Sequence, residues 1–245
     1  MRVSSFFATH RFRPRLLPTA AMVCLAALAI ALGDWQRHRA GEKSAAAALS
    51  SAAAREAPLD LAAAGNDAAA VLYHTVRGSG EYDAGHGVLI DNKVRGGRPG
   101  YEVVTPFKLA PGNRYVLVDR GWVAQGPTRK QLPSVQTPEG VVKIVGRATI
   151  PPKRYLELKA DTGEGTLRQN LDIERIAAAS GLTLLPFVVE QTDPVVPPDE
   201  LLRDWPSPDF GIERHLSYMM QWYSLAALAV VLWLVLSWRR RLEDV

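Results

Sequence analysis

Apolar and polar positions alternate along this chain in three different textures, and each texture predicts a different kind of element. The run "LLPTAAMVCLAALAIAL" from Leu16 to Leu32 carries no charge, and a second charge-free run of 23 residues extends from Leu216 to Trp238. As a helix the second would reach about 34 Å, slightly more than a hydrocarbon core, so it predicts a transmembrane span. The first is shorter, Ala-rich and interrupted by Pro18, and is marginal in length. Between them the sequence changes to short β-rich runs: "HTVRGSGEYD", "GHGVLIDNKV", "YEVVTPFKL", "NRYVLVDRGWV" and "VVKIVGRATI". Gly, Pro and Asn separate these runs at roughly ten-residue spacing, which predicts an antiparallel meander or barrel.

The fold class expected is therefore an α+β membrane protein, two transmembrane helices flanking a β-rich exported domain with one or two helices of its own. The boundaries read as a basic N-terminus over 1–15, a first span over 16–33, and an Ala-rich helical stalk over 34–70. A β-rich domain over 71–193, a Pro-rich return over 194–214, a second span over 215–238 and a tail over 239–245 follow. The first half of the stalk continues the helix until Pro58 ends it. Pro111-Gly112-Asn113 predicts a turn between strands. "LDIERIAAASG" from Leu171 to Gly181 predicts a helix with Asn170 as N-cap and Gly181 as its stop, and "LLPFVVEQTD" predicts a final strand.

Charge places these pieces. The net charge of +4 comes from the ends: residues 44–210 carry eighteen Lys/Arg against twenty acids. A near-neutral central domain has no source of phosphate-driven binding, which excludes nucleic acid as a partner. Arg2, Arg11, Arg13 and Arg15 precede the first span and Arg239, Arg240 and Arg241 follow the second, so both termini are expected on the cytoplasmic side. For the first segment a cleavable signal peptide is the alternative to a retained anchor, with Ala29-Ile30-Ala31 as its cleavage site. The one cysteine, Cys24, excludes an intrachain disulfide and a Cys-x-x-Cys pair.

The local motifs of catalysis are missing. "GSGEYD" has Asp83 where a dinucleotide loop needs its third glycine, and no zincin, nucleophile-elbow or P-loop pattern occurs. Asp83 and His86 form a possible carboxylate–imidazole pair in a loop, more simply read as solvated; His74, His10 and His38 are read as structural or interfacial, and no spacing makes a metal cluster. In "VLVDRGWV", Val116, Val118, Arg120 and Trp122 share one strand face and Leu117 and Asp119 the other, unless a bulge at Gly121 shifts the alternation. Asp119 and Arg120, with Gly121 and Trp122, read as a structural clamp. His215 stands at the lip of the second span, with Met219 and Trp222 on the same helical face at i+4 and i+7. An interfacial histidine is ordinarily a headgroup or backbone partner, and it is also a position for an axial ligand to a lipophilic metal macrocycle.

Three ordered motifs then resemble the Surfeit-locus-one family. "LGDWQRHRAGEK" is similar to that family's Leu-Gly-x-Trp-Gln-x-x-Arg-x-x-x-Lys signature through Gly33, Trp35, Gln36, Arg39 and Lys43. "GYEVVTPF" with "YVLVDRGWV" resembles its central strands, and "RHLSYMMQWYSLA" resembles the opening of its last helix. Ala124 stands where the family commonly has Pro, and Met219 and Met220 stand where small residues are common. The resemblance implies a non-enzymatic assembly factor for haem-copper cytochrome c oxidase that assists haem a insertion into subunit I at the bacterial inner membrane. It implies a retained first anchor, both termini cytoplasmic, a periplasmic central domain, haem a as a transiently held cofactor, and oxidase subunit I, a haem a synthase and membrane lipid as partners. His215 would ligate the iron, Met219 and Trp222 would flank the macrocycle, Trp35 and Gln36 would lie at the same membrane face, and Arg39 would meet the propionates. The rival readings are a protein-only scaffold for a nascent oxidase subunit and, further behind, a membrane-anchored enzyme using Asp83 or His86.

Overall fold

The computed structural model describes residues 10–128, 131–152, 165–195, 198–206, 208 and 210–240. The chain divides into two compact units, one of Met1–Ala48 with Pro208–Val245 and one of Leu49–Ser207.

The first unit is built on two long helices. The first, Leu16–Ala53, is continuous because nothing after Pro18 breaks it: Pro18 lies in the opening turn, where its missing N–H costs nothing, and the Ala-rich sequence then favours helix throughout. The last helix is Ile212–Ser237. On it His215, Met219, Trp222, Ala226, Ala229, Trp233 and Ser237 are buried or half-buried at spacings of three and four, which defines one seam. Cross-helix hydrogen bonds fix an antiparallel pairing: Trp233 Nε1–H donates to Thr19 Oγ1 at 2.9 Å near one end, and the Tyr223 hydroxyl donates to Asp34 at 2.7 Å towards the other. Gly33 lets the helices approach, since a Cβ there would overlap the Tyr223 ring. Both helices are long and apolar enough to cross a membrane. A short ribbon joins their ends, β1 (His10–Phe12) running antiparallel to β10 (Trp238–Arg240).

The second unit is a barrel. Its strands are β2 (Leu59–Asp60), β3 (Thr75–Tyr82), β4 (Val88–Arg95), β5 (Arg98–Leu109), β6 (Tyr115–Ala124), β7 (Val142–Thr149), β8 (Leu167–Arg168) and β9 (Leu184–Gln191). The sheet order is β2-β3-β7-β9-β6-β5-β4-β8, and an added pairing of β3 with β5 closes β3, β7, β9, β6 and β5 into a ring. Two details correct the antiparallel expectation. The order is not that of a meander, and β9 returns parallel to β6, because the crossover that includes the helix Ile173–Ser180 brings the chain back in the same direction. A second helix in this unit, Ala68–Val71, is a single turn capped by Asp67.

Alternation explains the two cores. Val116 and Val118 of β6 point into the barrel with Phe107, Ile144, Phe187 and Val189, while Leu117 and Val188 point out to meet Ile176 of the helix. That helix begins later than expected: Asp172, not Asn170, is its N-cap, its side chain accepting from the Arg175 N–H at 3.0 Å, because Leu171 is drawn into the outer core. Gly181 ends it in the left-handed conformation, as expected.

Candidate functional site

Two sets of predicted residues are brought together, one in each unit. In the helical unit Gln36 is buried, and its Oε1 lies 2.7 Å from His215 Nδ1. A carbonyl oxygen only accepts, so Nδ1 carries the proton. In the neutral ring the lone pair is then on Nε2, which has no hydrogen-bond partner among the described residues. A histidine anchored through one nitrogen and open at the other is the ordinary form of a metal-ligating imidazole, and it fits an axial ligand to haem iron.

Met219 and Trp222 are half-buried on the same seam, one and two turns further on. Trp35 is not drawn in; it is 54% exposed beside the buried Gln36. Arg39 is held on its own helix by Glu42 at 2.7 Å. The Tyr223–Asp34 hydrogen bond one turn below was not foreseen; the aromatic at i+1 from Trp222 and the acid next to Gly33 were its only local signals.

In the barrel Asp119 and Arg120 part to opposite sides of β6. Val104 faces Asp119 and Glu102 faces Trp122, so Arg120 and Gly121 form a bulge that puts Asp119 and Trp122 on one face. Arg120 is 1% exposed; it donates to the Gln136 carbonyl at 2.6 Å and Thr137 Oγ1 at 3.1 Å, and lies 5.3 Å from the Tyr82 ring centroid. Burial lowers the Arg120 pKa and raises that of the Tyr82 hydroxyl. Trp122 Nε1–H donates to the Lys93 carbonyl at 2.8 Å. A cavity of about 740 Å³ lies beside Arg120, but Leu132, Val135, Pro138 and Leu201 among its walls are apolar and the guanidinium is already committed.

On the other face Asp119 is buried beside Glu102 and Lys93, which pair with each other at 2.6 Å. Among the described residues its Oδ1 accepts only the Gly121 N–H, at 3.3 Å. Burial pushes its carboxyl well above the usual carboxylate range, the Glu102 charge adds to this, and Lys93 opposes it. The folded protein therefore keeps a proton on Asp119 that the unfolded chain releases near pH 3.9, so this group's contribution is full below that pH and is lost as pH rises. Asp119→Asn keeps the acceptor and cannot ionise. The variant is expected to unfold at a higher temperature than the parent at pH 8, with the gap closing towards pH 4. A gap that is constant or reversed across thermal melts would contradict a raised Asp119.

The remaining histidines have local partners. His86 Nδ1 lies 2.8 Å from Asp83 Oδ2 in a one-turn 3-10 helix that Asp83 caps, His74 bridges Glu56 and the Leu72 carbonyl at 3.2 Å each, and His38 pairs with Glu42 at 3.4 Å. Among the described residues no three His, Cys, Asp or Glu side chains gather as a metal site.

The class defined by these observations is a β-barrel domain inserted between two helices of membrane-spanning length and apolarity, with one half-open histidine on the helix seam. Within that class the family is shown: the SURF1 family model matches residues 23–227, and this chain belongs to the SURF1 family. All three motifs noted in the sequence lie inside the matched span. The chain is 25% identical over 228 residues to a SURF1-like protein of Monosiga brevicollis, covering 88% of this chain and 86% of that one. A SURF1-like protein of Rickettsia bellii is 26% identical over 208 residues, 83% of this chain and 84% of its own. One from Drosophila melanogaster is 31% identical over 143 residues, 55% of this chain and 43% of its own.

Proposed function

We propose that this SURF1-family protein is a bacterial inner-membrane assembly factor that assists haem a insertion into subunit I of cytochrome c oxidase, with no catalytic step of its own. Both long helices cross the membrane, both termini are cytoplasmic, and the barrel is periplasmic. The arginines before the first run and after the last support that orientation. Family membership supports the oxidase assignment. The observation that carries the haem reading is the Gln36–His215 hydrogen bond, which holds the ring and leaves Nε2 for iron.

Haem a is cargo here, and its iron would supply the coordination bond to Nε2. This chain's own residues orient and release it. Gln36 fixes the tautomer, Met219 and Trp222 offer a soft apolar flank, and Trp35 offers an exposed indole. Arg39 exchanges Glu42 for a propionate at little expense, since exposed ion pairs contribute about 1 kcal/mol or less. A single ligand suits handover, because a bis-ligated haem would leave slowly.

Gln36→Leu removes the hydrogen bond without touching the imidazole. It is expected to weaken haem retention on the order of tenfold or more, the usual effect of losing a ligand's orienting partner. In cells, His215→Ala at normal protein level should lower the haem a content of the assembled oxidase. Normal oxidase haem content in that variant would leave a protein-only scaffold, acting on subunit I through the barrel surface, as the function.

A further inference from the structure

The ribbon that joins the helix ends is amphipathic in a way that the number of charges alone does not require. In its register Arg11 stands directly opposite Arg239, and Phe12 opposite Trp238. The Arg13 N–H continues the ladder by donating to the Ser237 carbonyl at 2.8 Å. Side chains alternate along a strand, so Arg11, Arg13 and Arg239 occupy one face and Phe12 and Trp238 the other. On the aromatic face the rings cluster: Phe12, itself 38% exposed, lies 5.6 Å from Trp233 edge-on and 5.8 Å from Trp238, centroid to centroid. The three arginines are exposed, and among the described residues none of them has a carboxylate partner.

Like charges directly across an antiparallel pair are destabilising, so this ribbon carries a cost that an anion between the guanidiniums would remove. Guanidinium forks match phosphate oxygens in a bidentate way. The adjoining aromatic cluster closes the end of the apolar run, the level at which aromatic rings meet headgroups. We infer that Arg11, Arg13 and Arg239 form a binding site for the phosphodiester headgroup of an anionic phospholipid, which completes the cytoplasmic end of the helix pair. The inference rests on the membrane-spanning reading above, and its test separates the two.

Full-chain protein in neutral detergent is titrated with dibrominated phosphatidylglycerol or dibrominated phosphatidylcholine, with tryptophan quenching as the readout. Each arginine near an anionic headgroup is worth about fivefold, so phosphatidylglycerol should be preferred by about a hundredfold, falling about fivefold for Arg11→Gln, Arg13→Gln or Arg239→Gln. Lys143→Gln on the barrel should keep the full preference. For the unsubstituted protein the preference should shrink as salt rises, a check that needs no variant. Equal binding of both lipids, or an undiminished preference in the triple arginine variant, overturns the site. Inorganic phosphate that displaces the brominated lipid at equal concentration overturns the lipid assignment in favour of a free anion. Failure of the protein to float with phosphatidylcholine vesicles would count against membrane insertion itself, whichever lipid is preferred.

Discussion

Arg120→Met is expected to destabilise the barrel by about 3 kcal/mol or more, the largest single-residue effect we anticipate in this protein. The guanidinium is almost wholly buried, and its two hydrogen bonds tie the end of β6 to Gln136 and Thr137, ahead of β7. Met fills much of the volume and donates nothing. It loses two hydrogen bonds from a charged donor, to the Gln136 carbonyl and the half-buried Thr137 hydroxyl, each worth about 1.5–3 kcal/mol, and it removes the charge over the Tyr82 ring. Lys keeps the charge but not the fork, and should recover only part of the loss. Urea unfolding of the full chain in detergent measures this directly. A midpoint unchanged by Arg120→Met would mean that the clamp holds nothing.

Gly121→Ala should be nearly as damaging for a different reason. Gly121 has φ +138, a conformation that L side chains rarely adopt, and a Cβ there would lie 2.8 Å from Leu201 Cβ and 2.9 Å from the Leu202 carbonyl oxygen. Leu202 is bonded to Trp122 in both directions at 2.8 Å, so the Pro-rich return is stitched onto the bulge at the point of overlap. Relief requires breaking that stitch. The loss expected is about 3 kcal/mol, with Trp122 fluorescence shifting before global unfolding as the return segment detaches. A folded Gly121→Ala protein with an unshifted midpoint would show that the bulge tolerates a side chain.

Most strands were legible because alternation is a local signal. Each of the runs read as strands around β3 to β7, and the last run at β9, falls on an observed strand. Barrel closure was not legible: the pairing of Gly80 with Leu109 and the parallel return of β9 beside β6 depend on chain reversals that no short window encodes. The helix cap slipped from Asn170 to Asp172 because two good capping residues flank Leu171, and packing of that leucine decided between them. Alternation separated Asp119 from Arg120, and the suspicion of a bulge at Gly121 explains why Trp122 joins the Asp119 face. The sequence did not reveal that Lys93 and Glu102 would be Asp119's neighbours, since they come from two other strands.

At the helix seam the sequence named Gln36 and His215 separately, each from its own motif. Their hydrogen bond spans 179 positions and could not be read from either motif alone. It converts a histidine with a bland interfacial explanation into one with a defined tautomer and an open nitrogen. Arg39 and Trp35 remain at the edge, paired along the helix and exposed respectively, so the candidate site on the seam reduces to Gln36, His215, Met219 and Trp222.

The most direct test of haem handling is the optical spectrum of detergent-purified protein from cells that make haem a, beside His215→Ala at equal yield. A haem a band present in the parent, diminished in Gln36→Leu and absent in His215→Ala is the result predicted here. Identical spectra for all three, or no haem in any while oxidase assembly proceeds, would contradict ligation through His215 and leave the scaffold.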